Sequence, residues 1–201
     1  MTPSFKEFLK SLVESPIVAP GSMPKPRNYP NTIKTVGLDL YWSNIGKVLG
    51  YECYMAKDSS LAFIIVDPDS TVKDLNHVIC EARCKAINLD SLGYKNAIEI
   101  DRIYINESYR IRGLANNFYK LLLRQGFSVV SGGVQFLGAR RLWALLSKEL
   151  VVDVVDISDK SVLEKNHKLE HGLNDFEYPT KYYSEYDFRY EKYRFVLKSI
   201  K

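Results

Sequence analysis

The chain lacks any long apolar run. None of its stretches approaches the about 18 apolar residues that a membrane span needs, so no membrane partner is expected. It also lacks paired cysteine. Cys53, Cys80 and Cys84 are odd in number and follow no framework spacing, which excludes a disulfide scaffold and fits buried thiols in a reducing compartment. Histidine is scarce. His77, Cys80 and Cys84 would share one helical face, but no fourth ligand accompanies them. His167 and His171 stand four apart with Lys168 where an HEXXH site needs glutamate, so no metal is expected. Charge of one sign is in short supply as well. A balance of 28 basic against 24 acidic residues leaves +4, too little by itself to argue for nucleic acid. MTPSFKEFLKSLVESP scatters charge through its apolar positions and so has no secretory apolar region; a cytoplasmic location is expected.

What is present is globular material: 201 residues, 46% hydrophobic and 26% charged, enough for one domain with its own core. Residues 1–31 read as an appendage. Phe5, Phe8, Leu9 and Leu12 fall at helical spacing, Ser4 and Glu7 form a capping box, and Pro20, Pro24, Pro26 and Pro30 make the following arm extended. Residues 32–201 read as a single domain. An antiparallel meander is expected over 33–67: a strand to Trp42, a turn at Ser43–Gly46, a strand to Ala56, and LAFIIVD. Residues 71–88 read as a helix with Val72, Leu75, Val78, Ile79, Ala82 and Ala86 on one side. A strand at Ala97–Ile105, a helix at Leu114–Arg124 stopped by Gly126, the strand FSVVS, a helix at Gln135–Lys148 and the strand LVVDVVD follow. This alternation predicts parallel pairing. A short helix near 161–171 and a final strand, DFRYEKYRFVLKSI, free to pair with a second copy as a homodimer, complete the expectation. The fold class is α/β: a mixed, mostly antiparallel central sheet with flanking helices.

In IEIDRIYI the alternation of Ile98 and Ile100 slips by one before Ile103 and Ile105. A β-bulge near Asp101–Ile103 produces such a slip, and so does a strand buried on both faces. The turn that follows, NESYRIRGLANN, opens a helix. A helix N-terminus carries unpartnered N–H groups and partial positive charge, and glycine lets a ligand approach the backbone. The amides of Arg112, Gly113, Leu114, Ala115 and Asn116 would suit a pyrophosphate, with Arg110 and Arg112 adding charge at the rim. A plain strand-to-helix loop is the alternative.

Arg110-Ile111-Arg112-Gly113-Leu114-Ala115 resembles the Q/R-x-x-G-x-G/A signature of the GNAT superfamily of N-acetyltransferases, after the fourth strand and opening the next helix. The following strand and helix, with Ala139, Leu142 and Trp143 in an A-x-x-L-aromatic pattern, resemble that family too. The resemblance covers about residues 97–156. It implies a GNAT-like fold with a bulged fourth strand, acetyl-CoA as cofactor, and pantetheine lying beside Ile103, Tyr104 and Ile105. The N–H of Ile103 or Ile105 would polarise the acetyl carbonyl; Glu99 or Asp101 would act as base, or each would lie on a solvated or ion-paired face of the strand; and Ser131 would face the thioester or merely start the turn at Gly132-Gly133. The acceptor would be an amine on a small molecule or a protein. The chain departs from the family where many members carry a tyrosine acid, because Trp143 stands there and indole is not an acid; Phe136 also replaces a frequently polar position. Trp143 reads as packing. Tyr178, Tyr182, Tyr183, Tyr186, Tyr190 and Tyr193 could supply an acid or line a groove.

Two other functions stay open. One is a GNAT-fold protein without chemistry, serving as a binding or structural module, which Trp143 and Phe136 favour. The other is a nucleic-acid-modifying enzyme similar to the Mom-like proteins of bacteriophages, with aromatics interleaved among Arg189, Lys192 and Arg194 for base stacking. A phage origin would also suit SFKEFLKSLVES, which resembles the cleaved capsid-targeting leaders of T4-like phages in its Leu12-Val13-Glu14 triplet. In that case the location is the host cytoplasm.

Overall fold

The computed structural model describes residues 42–57, 61–67, 69, 78–133, 137–169 and 192–199. The expected N-terminal helix, the proline-rich arm, residues 71–77, Phe136, and Tyr178 through Tyr190 lie outside the described residues. The strands are β1 (Trp42–Val48), β2 (Tyr51–Ala56), β3 (Ala62–Val66), β4 (Val78–Ala86), β5 (Ala97–Ile105), β6 (Ser128–Val130), β7 (Val152–Asp156), β8 (Ser161–Glu164) and β9 (Tyr193–Leu197). The helices are α1 (Leu114–Arg124) and α2 (Leu137–Glu149). The class is α/β, with an open, mostly antiparallel sheet in the order β1-β2-β3-β4-β5-β6-β9-β7-β8. Among the described residues no helix is long and apolar enough to cross a membrane.

The chain divides into two compact units, one drawing on residues up to Ala82 and on Ile103–Asn117, the other on Arg83–Arg102 and Phe118 onward. In the first unit β1, β2 and β3 form an antiparallel meander. The reversal between β1 and β2 is at Leu49–Gly50, whose φ angles of 52° and 91° are those of a primed hairpin turn. The turn expected at Ser43–Gly46 is therefore displaced. Those residues belong to β1, where the register slips between Asn44 and Gly46. The Asn44 side chain accepts the Gly46 N–H at 2.8 Å, so a turn-like sequence is absorbed as an irregularity rather than a reversal. Ile64, Val66 and Val78 pack together under Trp42 and Tyr54.

Over its described part the helix expected at 71–88 is also overturned, since residues 78–86 are strand β4. Val78 to Ala82 are all buried, as in a strand covered on both faces. The spacing of Val78, Ile79, Ala82 and Ala86 fits a helix equally well, and tertiary burial decided in favour of the β-branched pair. Cys80 and Cys84 consequently lie on a strand, not on a helical face with His77.

In the second unit Leu89, Tyr94, Ala97, Val130, Val155 and Val196 make one core. Burying each larger aliphatic there contributes about 1.5–3 kcal/mol. β5 and β6 are parallel, as the alternation of elements predicted, pairing Ala97–Glu99 with Ser128–Val130. The parallel pattern does not extend to β7. β9 enters between β6 and β7, antiparallel to both. The final strand, expected to be free for a second copy, is thus paired on each side. Nor is 161–171 helical at its start: Ser161–Glu164 is β8, antiparallel to β7. Asp156 accepts from both the N–H and the hydroxyl of Ser158, which holds the turn between them. Trp143 on α2 is fully buried, edge-on to Tyr119 at 5.9 Å and tilted against Phe195, and so is a packing residue.

Candidate functional site

The turn between β5 and α1 is built from local hydrogen bonds. Asn106 starts it: its N–H donates to Ile79 O at 2.9 Å, while its side chain accepts the Ser108 N–H at 3.0 Å. One short 3-10 segment, Glu107–Arg112, follows and ends at Gly113. Gly113 has φ of 67°, a left-handed backbone that costs an L side chain about 1 kcal/mol or more. Asn117 donates its N–H and its side-chain Nδ2 to Gly113 O, at 3.1 and 3.0 Å. That carbonyl is therefore the first acceptor of α1. The N–H groups of Leu114, Ala115 and Asn116 have no acceptor within the helix. In the same turn of helix, Asn116 Oδ1 is buried without a hydrogen-bond partner.

Arg110 folds back across this turn. Its Nε donates to Ile105 O at 3.0 Å and its guanidinium lies 3.5 Å from the Glu107 carboxylate. Tyr109 is buried, and its hydroxyl donates to Asp67 Oδ2 at 2.7 Å. Its ring meets Tyr51 edge-on at 5.7 Å.

Glu99, Asp101 and Ser131 each have a partner. Glu99 Oε2 accepts from Arg194 Nε at 3.3 Å, with the side chains 15% and 9% exposed. Asp101 is exposed and pairs with Lys85, whose pKa that hydrogen bond raises. Ser131 is buried and exchanges two bonds with Phe195: its N–H donates to Phe195 O at 2.9 Å, and its Oγ accepts the Phe195 N–H at 3.0 Å. Glu99 and Ser131 thus meet consecutive residues of β9, while Asp101 faces a different partner. Ile103, Tyr104 and Ile105 are half-buried at the end of β5. Just before them Asp101 and Arg102 are both exposed, a break in alternation at the place where the sequence slips. The pairing of β5 with β6 reaches Glu99, six residues short of the end of β5 at Ile105.

Sequence reasoning missed Arg194 as the partner of Glu99, because 95 residues separate them. It also missed Tyr109 and Asp67. Asn117, four residues after Gly113, was within reach of the i, i+4 rule. Of the cations the base-stacking reading named, Lys192 pairs with Asp156 at 2.8 Å and Arg194 with Glu99, while Arg189 lies outside the described residues. No family model, no curated protein and no solved structure matches this chain.

Proposed function

We propose that this chain is an N-acetyltransferase of GNAT type, moving the acetyl group of acetyl-CoA to an amine. The observation that carries the reading is the left-handed Gly113 heading α1, at the end of the 3-10 segment Glu107–Arg112 that follows β5. A Cβ at Gly113 would meet nothing nearer than Asn117 Nδ2 at 3.7 Å, so packing does not demand glycine there. Its left-handed backbone conformation does, and the open space leaves room for a ligand to approach. The break at Asp101–Arg102 is a further feature that supports the bulge the resemblance implies, although the strand that carries it is fifth, not fourth, among the described residues.

Acetyl-CoA, when bound, would supply an acetyl thioester: its carbon–sulfur bond breaks as the amide bond to the acceptor forms, and CoA leaves as a thiolate that takes up the proton the acylated nitrogen sheds. The chain's part is to hold the pyrophosphate on the amides of Arg112 to Asn116 and to present a backbone N–H of Ile103 or Ile105 to the carbonyl. An acceptor ammonium must lose a proton to a base. Glu99 or Asp101 fills that role only by leaving its cation, directly or through a water.

A second reading, a GNAT-fold module without transfer chemistry, is favoured by one set of observations. Glu99, Asp101 and Ser131 all have protein partners, and Trp143 is buried in packing. Release of CoA thiol from acetyl-CoA separates the two. A polyamine, a lysyl peptide and an amino sugar are offered as acceptors. Release that depends on one of them supports transfer; acetyl-CoA binding without release for any acceptor supports the silent module.

A further inference from the structure

The turn before α1 is fixed at several places, and one of them is a side-chain contact to a distant part of the chain. Asn106 fastens its start to the β4 backbone, and Asn117 its end to Gly113. Between them the Tyr109 hydroxyl reaches Asp67, just past β3, 42 residues away in sequence. Tyr109 is 7% exposed, so its hydroxyl is committed to this partner rather than to bulk water. The Asp67 carboxylate is itself oriented, accepting the Asp69 N–H at 3.1 Å on its other oxygen. Tyr109 is one residue from Arg110 and four from Gly113. Its position therefore sets where the Arg110–Gly113 backbone stands. These contacts differ in kind: the backbone bonds of Asn106 and Asn117 survive a side-chain change, whereas the Tyr109–Asp67 bond depends on a phenol and a carboxylate, as the Arg110–Ile105 bond depends on a guanidinium.

We infer that Tyr109, held by Asp67, is a positioning residue for the anion-binding turn: its hydroxyl sets the height of the Arg112–Asn116 amides so that they converge on a pyrophosphate. This inference rests on the acetyl-CoA reading above. A hydrogen bond aligned this way contributes to ligand affinity only through the geometry of the turn. Loosening it weakens the cofactor without touching any group that meets it. The charge of Asp67 is not required. With asparagine at 67, Oδ1 keeps the Asp69 N–H and Nδ2 donates to the Tyr109 phenol oxygen, so the contact survives with its direction reversed.

The test compares the full chain with Tyr109→Phe, Asp67→Ala and Asp67→Asn, measuring CoA affinity by calorimetry, melting temperature, and amide exchange over the peptide 106–117. Loss of one hydrogen bond predicts CoA affinity weakened about tenfold in Tyr109→Phe and in Asp67→Ala. Asp67→Asn restores affinity to within about twofold of the unmodified chain, and exchange over 106–117 rises in the first two variants only. A merely structural role would lower the melting temperature without this split. Equal CoA affinity in Tyr109→Phe overturns the inference and leaves the acetyl-CoA reading standing. Failure of the unmodified chain to bind CoA overturns that reading instead. The exchange rates then still decide whether Tyr109 holds the turn.

Discussion

Glu99 on β5 and Arg194 on β9 join past the end of the strand that separates them. β6 stops at Val130, which pairs with Glu99 on one side and Val196 on the other. The Arg194 guanidinium crosses there to the Glu99 carboxylate, and it lies so close to the following turn that a Cβ on Gly133 would stand 2.9 Å from Nη2. A mostly buried pair of this kind is costly to halve. Glu99→Gln and Arg194→Met should each destabilise the chain by about 1–3 kcal/mol in urea unfolding, and the double variant by less than their sum.

Gly133→Ala tests the same contact from the other side. The new methyl must displace the guanidinium, so its cost should be about 1 kcal/mol in the unmodified background and vanish in Arg194→Met. Urea unfolding of the single and double variants checks it.

Asp156 gives the chain an acid-sensitive element. Burial pulls its carboxyl up, but the bonds from Lys192 and from the hydroxyl and N–H of Ser158 outweigh that and bring it to about 2, against 3.8 ordinarily. A depressed carboxyl stabilises the fold fully above its unfolded value and loses that contribution as pH falls toward the folded one. Melting temperature should therefore drop between pH 4 and pH 2. Asp156→Asn should remove about 1–2 kcal/mol at neutral pH, after discounting for the exposure of Lys192, and should flatten the acid limb. Melting curves across that range measure both.

The three cysteines should be silent in the native chain. Burial pushes the thiols of Cys53 and Cys84 up to about 12 and that of Cys80 higher than an ordinary thiol. Thiolate is the reactive form. Ellman's reagent should find no rapidly reacting thiol under native conditions and three after denaturation. Rapid native labelling would contradict the burial.

Much of the second half of the chain was legible because its signals are local. The apolar spacing of α1, the Gly126 stop, the length of FSVVS and the periodicity of α2 need only neighbours within about one helical turn. Gly113 was readable as a special backbone position for the same reason. The failures share a different cause. Val78–Ala86 satisfies two periods at once, and only burial on both faces selects the strand. Asn44-Ile45-Gly46 has turn chemistry that its side chain spends on one amide. The insertion of β9, and with it the Glu99–Arg194 pair, depends on contacts between residues far apart in sequence, which no local pattern encodes. The partners of Glu99, Asp101 and Ser131 were invisible on the same ground.

The most direct test of the central claim is calorimetric titration of the full chain with acetyl-CoA, beside Gly113→Trp. The indole would cover the first-turn amides of α1 and force a non-glycine residue into a left-handed backbone. Acetyl-CoA should bind the unmodified chain at micromolar concentration and not bind Gly113→Trp, with melting temperatures showing that the variant remains folded. No binding at millimolar acetyl-CoA, or binding that Gly113→Trp leaves unchanged, would contradict it.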